Sequence, residues 1–340
     1  MFVGLVLGVL FVSPLVLVYV LFIRWCDRFE PEPWYLVGAA FVWGALFATF
    51  GGGVGSGLTQ SLIAGLLGVT EDSHGMDTFG AVVLAPIFEE GFKGLGVAIL
   101  ALVSALGLKE LDGALDGAIY GGIVGLGFTL TEDILYVSEA YTKEGSSGFL
   151  SLVLVRTVFL GLSHCTFTAC TGLGFGMSVE AKGAGKKLLY PCVGLAAAVC
   201  MHAIHNGLPA RFGDAGLIVM ILLSWAIDVA FFVLLWMLVA RDRRIVIREL
   251  LGEVGKTLEP DELRLVSSYF TLSRRNWGVF FSRGWRAFRE RRKKQLALVE
   301  LAFVKHRRRR GETGRDLDVR EHGLRQEIAF YSRAGVFIDR

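Results

Sequence analysis

The chain has 340 residues, 53% of them hydrophobic, with 43 glycines. That is more apolar surface than one water-filled fold hides, which excludes an ordinary soluble domain and points to a membrane protein. The formal charge of +3 conceals a division: residues 241–340 hold 25 Lys and Arg against 14 Asp and Glu, whereas residues 1–240 hold 10 against 18. Among the five cysteines, Cys165, Cys170, Cys192 and Cys200 fall in apolar runs as small packing residues and indicate no disulfide framework.

Apolar runs of membrane-spanning length occur near residues 2–24, 34–55, 78–106, 114–138, 149–179, 188–208 and 214–240. The expected fold is all-α: a polytopic membrane helix bundle of about seven transmembrane helices with a helical cytoplasmic C-terminal tail. The first run lacks a basic leader and a small-residue cleavage site, so it is expected to be retained rather than removed as a signal peptide. The glycine-rich stretch GGGVGSGLTQSLIAGLLGVT (51–70) leaves two readings open, an extension of the second helix or a separate interfacial segment.

Basic loop residues stay on the cytoplasmic side. With seven spans, one side holds Arg24, Arg28, Lys109, Lys182, Lys186, Lys187, Arg241, Arg243, Arg244 and Arg248, and the other only Lys143 and Arg211. The C-terminus is therefore expected in the cytoplasm and the N-terminus outside. Two domains follow, a transmembrane domain over 1–240 and a basic helical tail over 241–340. In the tail, SRRNWGVFFSRGWRAFRERRKK (273–294) interleaves aromatic and basic residues, as an interfacial helix on anionic lipid headgroups does, or a solvated face of a small helical domain. No nucleic-acid module accompanies the basic clusters, so nucleic acid is not the expected partner.

Ionisable groups in the hydrocarbon region cost about 2.5 to 3.5 kcal/mol each on insertion scales and need a reason to be there. The third span carries APIFEEGFKG, with Glu89 and Glu90 adjacent and Lys93 one turn on, so the lysine offsets one carboxylate and leaves the other free. Two adjacent carboxylates in a low-dielectric site repel, which suits one of them to exchange a proton as a general acid or base. Pro86 frees a backbone carbonyl just before the pair. In the fourth span Gly117, Gly121 and Gly125 recur every four residues, and Glu132 lies seven beyond the last, on nearly the same face. The fifth span places His164 in a small and polar stripe with Thr157, Gly161, Thr168 and Gly172, with Arg156 two turns earlier. The sixth repeats Gly194, Ala198, His202 and Asn206 every four residues, with His205 to one side; the seventh adds Asp228, a helix contact or counter-charge. Counted from the outer helix ends, Glu132 and His202 lie about one and a half turns deep and Glu89 and His164 about three to four, so all fall in the outer half of the bilayer or near its midplane.

These segments resemble the PrsW family of membrane proteases, related in architecture to CAAX prenyl-protease and bacteriocin-processing enzymes. The family's EExxK motif is matched by EEGFK (89–93), GxGFxxxEN by GLGFTLTED (125–133), a third-motif His by His164, and HxxxN by His202 to Asn206; DRFEPEPW (27–34) and DGAIYG (116–121) are also similar to family sequence. The likeness covers about residues 20–210. Asp133 stands where the family usually has Asn, an extra carboxylate beside Glu132. The resemblance implies an endopeptidase acting near the outer face on a membrane-anchored protein, an anti-sigma factor in the family's named member.

Peptide hydrolysis needs an activated water and a stabilised oxyanion. Two mechanisms fit the catalytic set Glu89, Glu90, Glu132, His164 and His202, supported by Lys93, Asn206 and Asp133. In one, Glu89 or Glu90 activates water while His164, His202 and Asn206 stabilise the oxyanion. In the other, a divalent metal, zinc by its preference for His and carboxylate ligands, sits on Glu132, His164 and His202 with a glutamate of the pair as base. A proton- or ion-coupled transporter and an inactive membrane scaffold are the rival readings; the inverted repeats that would favour a transporter are not visible.

Overall fold

The computed structural model describes residues 1–26, 29–71, 73–108 and 110–338. Arg28 and Lys109 of the charge reading, and Asp27 of the loop motif, lie outside them. Among the described residues the chain is helical with no strands. Five helical stretches of the described residues are long and apolar enough to cross a bilayer: Phe2–Cys26, Trp34–Leu67, His74–Gly107, Ala114–Glu180 and Ala184–Leu251. Straight, the last two would each run about 100 Å, over three times the ~30 Å hydrocarbon thickness. Both are broken at a glycine in a left-handed conformation, Gly145 (φ 70°, ψ −153°) and Gly213 (φ 56°, ψ −134°), where a Cβ would strain the backbone.

The chain forms two compact units, residues 1–27 with 32–235, and residues 28–31 with 236–340. The first contains α1 (Phe2–Cys26), α2 (Trp34–Val42), α3 (Thr49–Leu67), α4 (His74–Phe79), α5 (Ala85–Val103), α6 (Ala114–Leu152), α7 (Ser163–Glu180) and most of α8 (Ala184–Leu250). The glycine-rich stretch 51–70 extends the second helix: α2 passes through a π-turn at Trp43–Ala48 into α3, which ends at left-handed Gly68. Glycine is a poor helix former, but here it makes room for α5. A Cβ on Gly51, Gly52 or Gly55 would stand 2.6, 2.7 or 2.5 Å from Phe92, Glu89 or Phe88.

The glycine stripe of α6 does the same against α7. A Cβ on Gly117 would meet the Gly172 carbonyl oxygen at 2.1 Å, one on Gly121 that of Thr168 at 2.5 Å, and one on Gly125 that of His164 at 2.2 Å. The two backbones therefore touch along three turns, and α7 is fixed in register against α6.

The second unit packs the end of α8 with α9 (Pro260–Val266), α10 (Tyr269–Arg309) and α11 (Arg315–Arg333) around Val246, Leu250, Leu298, Leu301, Leu324 and Ile328. Ion clusters on buried carboxylates hold it, among them Lys294 Nζ on Glu262 Oε1 at 2.6 Å, and Glu253 receiving Lys305 Nζ (2.6 Å), Thr257 Oγ1 (2.7 Å) and Arg325. Burial would push the Glu253 carboxyl up, but those hydrogen bonds outweigh it and hold it down to about 2. The aromatic and basic segment 273–294 is not one helix face: Gly284 (φ 79°, ψ −179°) breaks α10 into two arms.

Candidate active site

The site is built on α5. Lys93 Nζ, fully buried, lies 2.7 Å from Glu90 Oε1 and 3.9 Å from Glu89 Oε2, so of the two carboxylates the lysine pairs with Glu90. Glu90 is also fully buried and is further engaged by Thr168 Oγ1 from α7 at 3.1 Å and by His202 Nδ1 from α8 at 3.0 Å. Glu89 is left differently. Its Oε2 is buried with no hydrogen-bond partner, and its nearest polar neighbours are Lys93 at 3.9 Å and His202 Nε2 at 3.7 Å.

His164, at the start of α7, joins two layers. Its Nδ1 stands 3.2 Å from Lys93 Nζ and its Nε2 stands 2.9 Å from Glu132 Oε2 of α6. The His164 and His202 rings lie 4.9 Å apart between centroids, and the Lys93 ammonium sits 3.5 Å over the Phe128 ring. Phe128 thus supplies an aromatic face to a cation whose other sides meet a carboxylate and an imidazole.

Beyond Glu132 the layer closes on Arg156, in the π-turn Val153–Phe159. The guanidinium contacts Glu132 and places its Nε 3.0 Å from Asp133 Oδ1, and Thr157 Oγ1 donates to Asp133 Oδ2 at 2.8 Å. A small cleft lined by Thr129, Asp133, Arg156, Leu160, Ser163, His164 and His205 adjoins this pair. Asp133 thus meets Arg156 and Thr157.

Asn206 shares a helix face with His202 but meets a different group. In the π-turn Gly80–Leu84 ahead of α5, Ala85 donates five residues back to Gly80, and Pro86 has no N–H. The Ala81 carbonyl therefore receives no N–H from Ala85 or Pro86, and Asn206 Nδ2 donates to it at 2.9 Å. The asparagine side chain thereby ties α8 to the start of α5, one turn from where His202 meets Glu89 and Glu90. Asp228 accepts a hydrogen bond from Thr166 at 2.6 Å as a helix-to-helix contact, and His205 Nδ1 lies 3.3 Å from Ser224 Oγ.

Among the described residues one set of three ligand atoms, from Glu90, His164 and His202, comes within 4.8 Å of one another, and all three residues are buried. Two imidazoles and a carboxylate form a donor set that suits a catalytic divalent metal with a free fourth position. The carboxylate in this set is Glu90, whereas the sequence expectation placed Glu132 there. Glu132 is turned by Arg156 onto the other nitrogen of His164, a contact that spacing along α6 does not reveal. Arg156, Thr168 and Phe128 are the participants that sequence reasoning left without a role. An arginine inside an apolar run, two turns before a candidate histidine, was the one available signal.

A family model described as PrsW family intramembrane metalloprotease matches residues 32–239. Neither a curated protein nor a solved structure matches the chain.

Proposed function

Because the chain belongs to the PrsW family of intramembrane metalloproteases, we propose that it hydrolyses a peptide bond of a membrane-anchored protein with Glu89 as the group that takes a proton from water. The contrast within the EEGFK pair carries this reading. Glu90 is saturated by Lys93, Thr168 and His202, while Glu89 keeps a buried oxygen with no hydrogen-bond partner, 3.7 Å from His202. A carboxylate with an unused acceptor beside an imidazole is placed to abstract a proton and pass it on.

Glu90, His164 and His202 would hold the metal, and their chemistry suits zinc. Bound there, zinc supplies a Lewis acid that polarises the scissile carbonyl and acidifies water. Glu132, on the far nitrogen of His164, fixes the ring's orientation, and Arg156 with Asp133 fixes Glu132. Lys93 holds Glu90 in place, and Asn206 holds the helix that carries His202.

Four further features belong to the same reading. Breaks at Gly145 and Gly213 divide the two longest apolar stretches into two crossings each, which makes seven spans in all. The excess of Lys and Arg on one side directs the C-terminus to the cytoplasm and the site toward the outer face. Residues 1–240 form the protease domain, and residues 241–340 a cytoplasmic tail. The substrate class is a single-span protein cut near that outer face, of which an anti-sigma factor is one example.

The test is co-expression of the chain with single-span reporter proteins. Wild type is expected to cleave a reporter that Glu89→Gln, at equal abundance in the membrane, leaves intact. Cleavage by Glu89→Gln at the wild-type rate overturns the assignment of the base.

A further inference from the structure

The two arms of α10 meet at Gly284, and the six residues around that turn, FSRGWR (281–286), are all exposed. Phe281 is 81% exposed, Trp285 62% and Trp277 52%. These rings do not stand singly. Trp285 stacks on Phe288 at 5.4 Å, Phe288 lies 5.6 Å from Trp277, Trp277 lies 5.5 Å from Phe280, and Phe280 lies 5.2 Å from Phe281. Five aromatic rings thus make one patch at the end of a helical hairpin, open to solvent on the side of the turn.

The charge around this patch has one sign. Arg274, Arg275, Arg283, Arg286, Arg289 and Lys293 are exposed, and the single acid in 273–294 is Glu290, 3.1 Å from Arg286. Water is a poor solvent for clustered Trp and Phe, and a soluble unit gains nothing by presenting them at a tip. Indole and phenyl rings flanked by arginine match the headgroup region of a bilayer, where the rings enter the acyl boundary and the guanidinium groups stay among phosphates.

We propose that the Gly284 turn of α10 is a docking tip for an anionic phospholipid bilayer. Charge complementarity selects the occupant, since each arginine near an anionic leaflet is worth a factor of about five in binding. Nucleic acid, the other polyanion, is disfavoured by the packing. Single strands bind on ring faces set out in a row along a basic groove, whereas these rings meet mostly edge to face in one cluster around a turn. The tail's covalent link to membrane-spanning helices keeps such a surface at high effective concentration. The docked tip would hold the second unit against the membrane independently of whether the first unit is catalytic.

The experiment is hydroxyl-radical footprinting of the full chain, read by mass spectrometry, in nanodiscs of pure phosphatidylcholine and in discs that also contain phosphatidylglycerol. Phe330, 61% exposed and in the same unit, serves as the internal reference. Oxidation of Phe281 and Trp285 is expected to fall severalfold in the anionic discs while Phe330 stays constant, and Arg283→Glu with Arg286→Glu is expected to abolish the difference. Equal oxidation of Phe281 and Trp285 in the two discs overturns the proposal. So does protection that survives the double substitution, or protection that appears only when single-stranded nucleic acid is added.

Discussion

Gly125→Ala tests whether the α6–α7 contact sets the catalytic geometry. The added Cβ would lie 2.2 Å from the His164 carbonyl oxygen, and since a real Cβ does not approach closer than 3.0 Å, α7 must retreat by about 0.8 Å at the residue that carries the imidazole. A shift of that size along the His164–Glu132 contact takes it from 2.9 Å out of hydrogen-bond range. Overpacking of this kind costs about 1 to 3 kcal/mol of stability, and a displacement near 1 Å at a reacting group costs about 10²-fold in rate. The assay is cleavage of a single-span reporter per unit of folded enzyme, with folding followed by detergent-resistant monomer and thermal midpoint. Gly53→Ala on α3, where an added Cβ meets nothing within 4 Å, is the control and should retain full activity. A Gly125→Ala enzyme that folds and cleaves at the wild-type rate refutes the argument that backbone contact at Gly125 positions His164.

Three other outcomes are expected. Metal analysis of the purified chain should find a divalent ion in wild type that is lost from the His164→Ala, His202→Ala double variant; equal and negligible metal in both would sink the zinc assignment while leaving the choice of base untouched. Asn206→Leu removes the donor to the Ala81 carbonyl and should cost about 0.5 to 1.5 kcal/mol for the lost hydrogen bond, with kcat falling and KM nearly unchanged if, as proposed, the residue positions His202 rather than substrate. In the tail, the ion cluster on Glu253 contributes stability that is complete above the ordinary carboxyl value of 4.5 and is lost as pH falls toward about 2. Hydrogen exchange of amides near residue 253, corrected for intrinsic rate, should rise through that window in wild type and be high already at pH 7 in Glu253→Gln; a flat profile in wild type would contradict the linkage.

Apolar run length and glycine spacing carried much of the architecture, because both act locally along one helix. The continuous second helix was harder to read. Glycine opposes helix formation in isolation, and only the Phe88, Glu89 and Phe92 side chains of α5 explain why 51–67 stays helical. The EEGFK motif announced a pair and a lysine, yet Lys93 can reach Glu89 at i+4 or Glu90 at i+3. The choice of Glu90 is made by Thr168 and His202, which arrive from other helices. Asn206 was legible as a partner of His202 by period, but the π-turn that leaves Ala81 without a backbone donor exists only in three dimensions. Arg156 is the clearest omission: it stood in an apolar run as an uncompensated cation, and its partners Glu132 and Asp133 lie 24 and 23 residues away on α6.

Charge counting joins the two mechanisms that the sequence left open. Among the described residues Glu89, Glu90, Glu132 and Asp133 share two fixed cations, Lys93 and Arg156, so four carboxyl groups, were all ionised, would leave a shortfall of two positive charges. A buried site does not carry such an excess, because the desolvation penalty of an unpaired charge is several kcal/mol. A divalent ion on Glu90, His164 and His202 closes the shortfall, and so do two protons. On the proposed reading, metal binding and proton release would be linked at this site, and metal-assisted and metal-free hydrolysis would be two ways of filling the same deficit rather than two different sites. Without a metal Glu90 is committed to Lys93, Thr168 and His202, and with one it would be a ligand beside His164 and His202; in either case Glu132 stays on Arg156 and His164. On the proposed reading Glu89, whose buried oxygen has no hydrogen-bond partner, is the carboxylate that moves a proton.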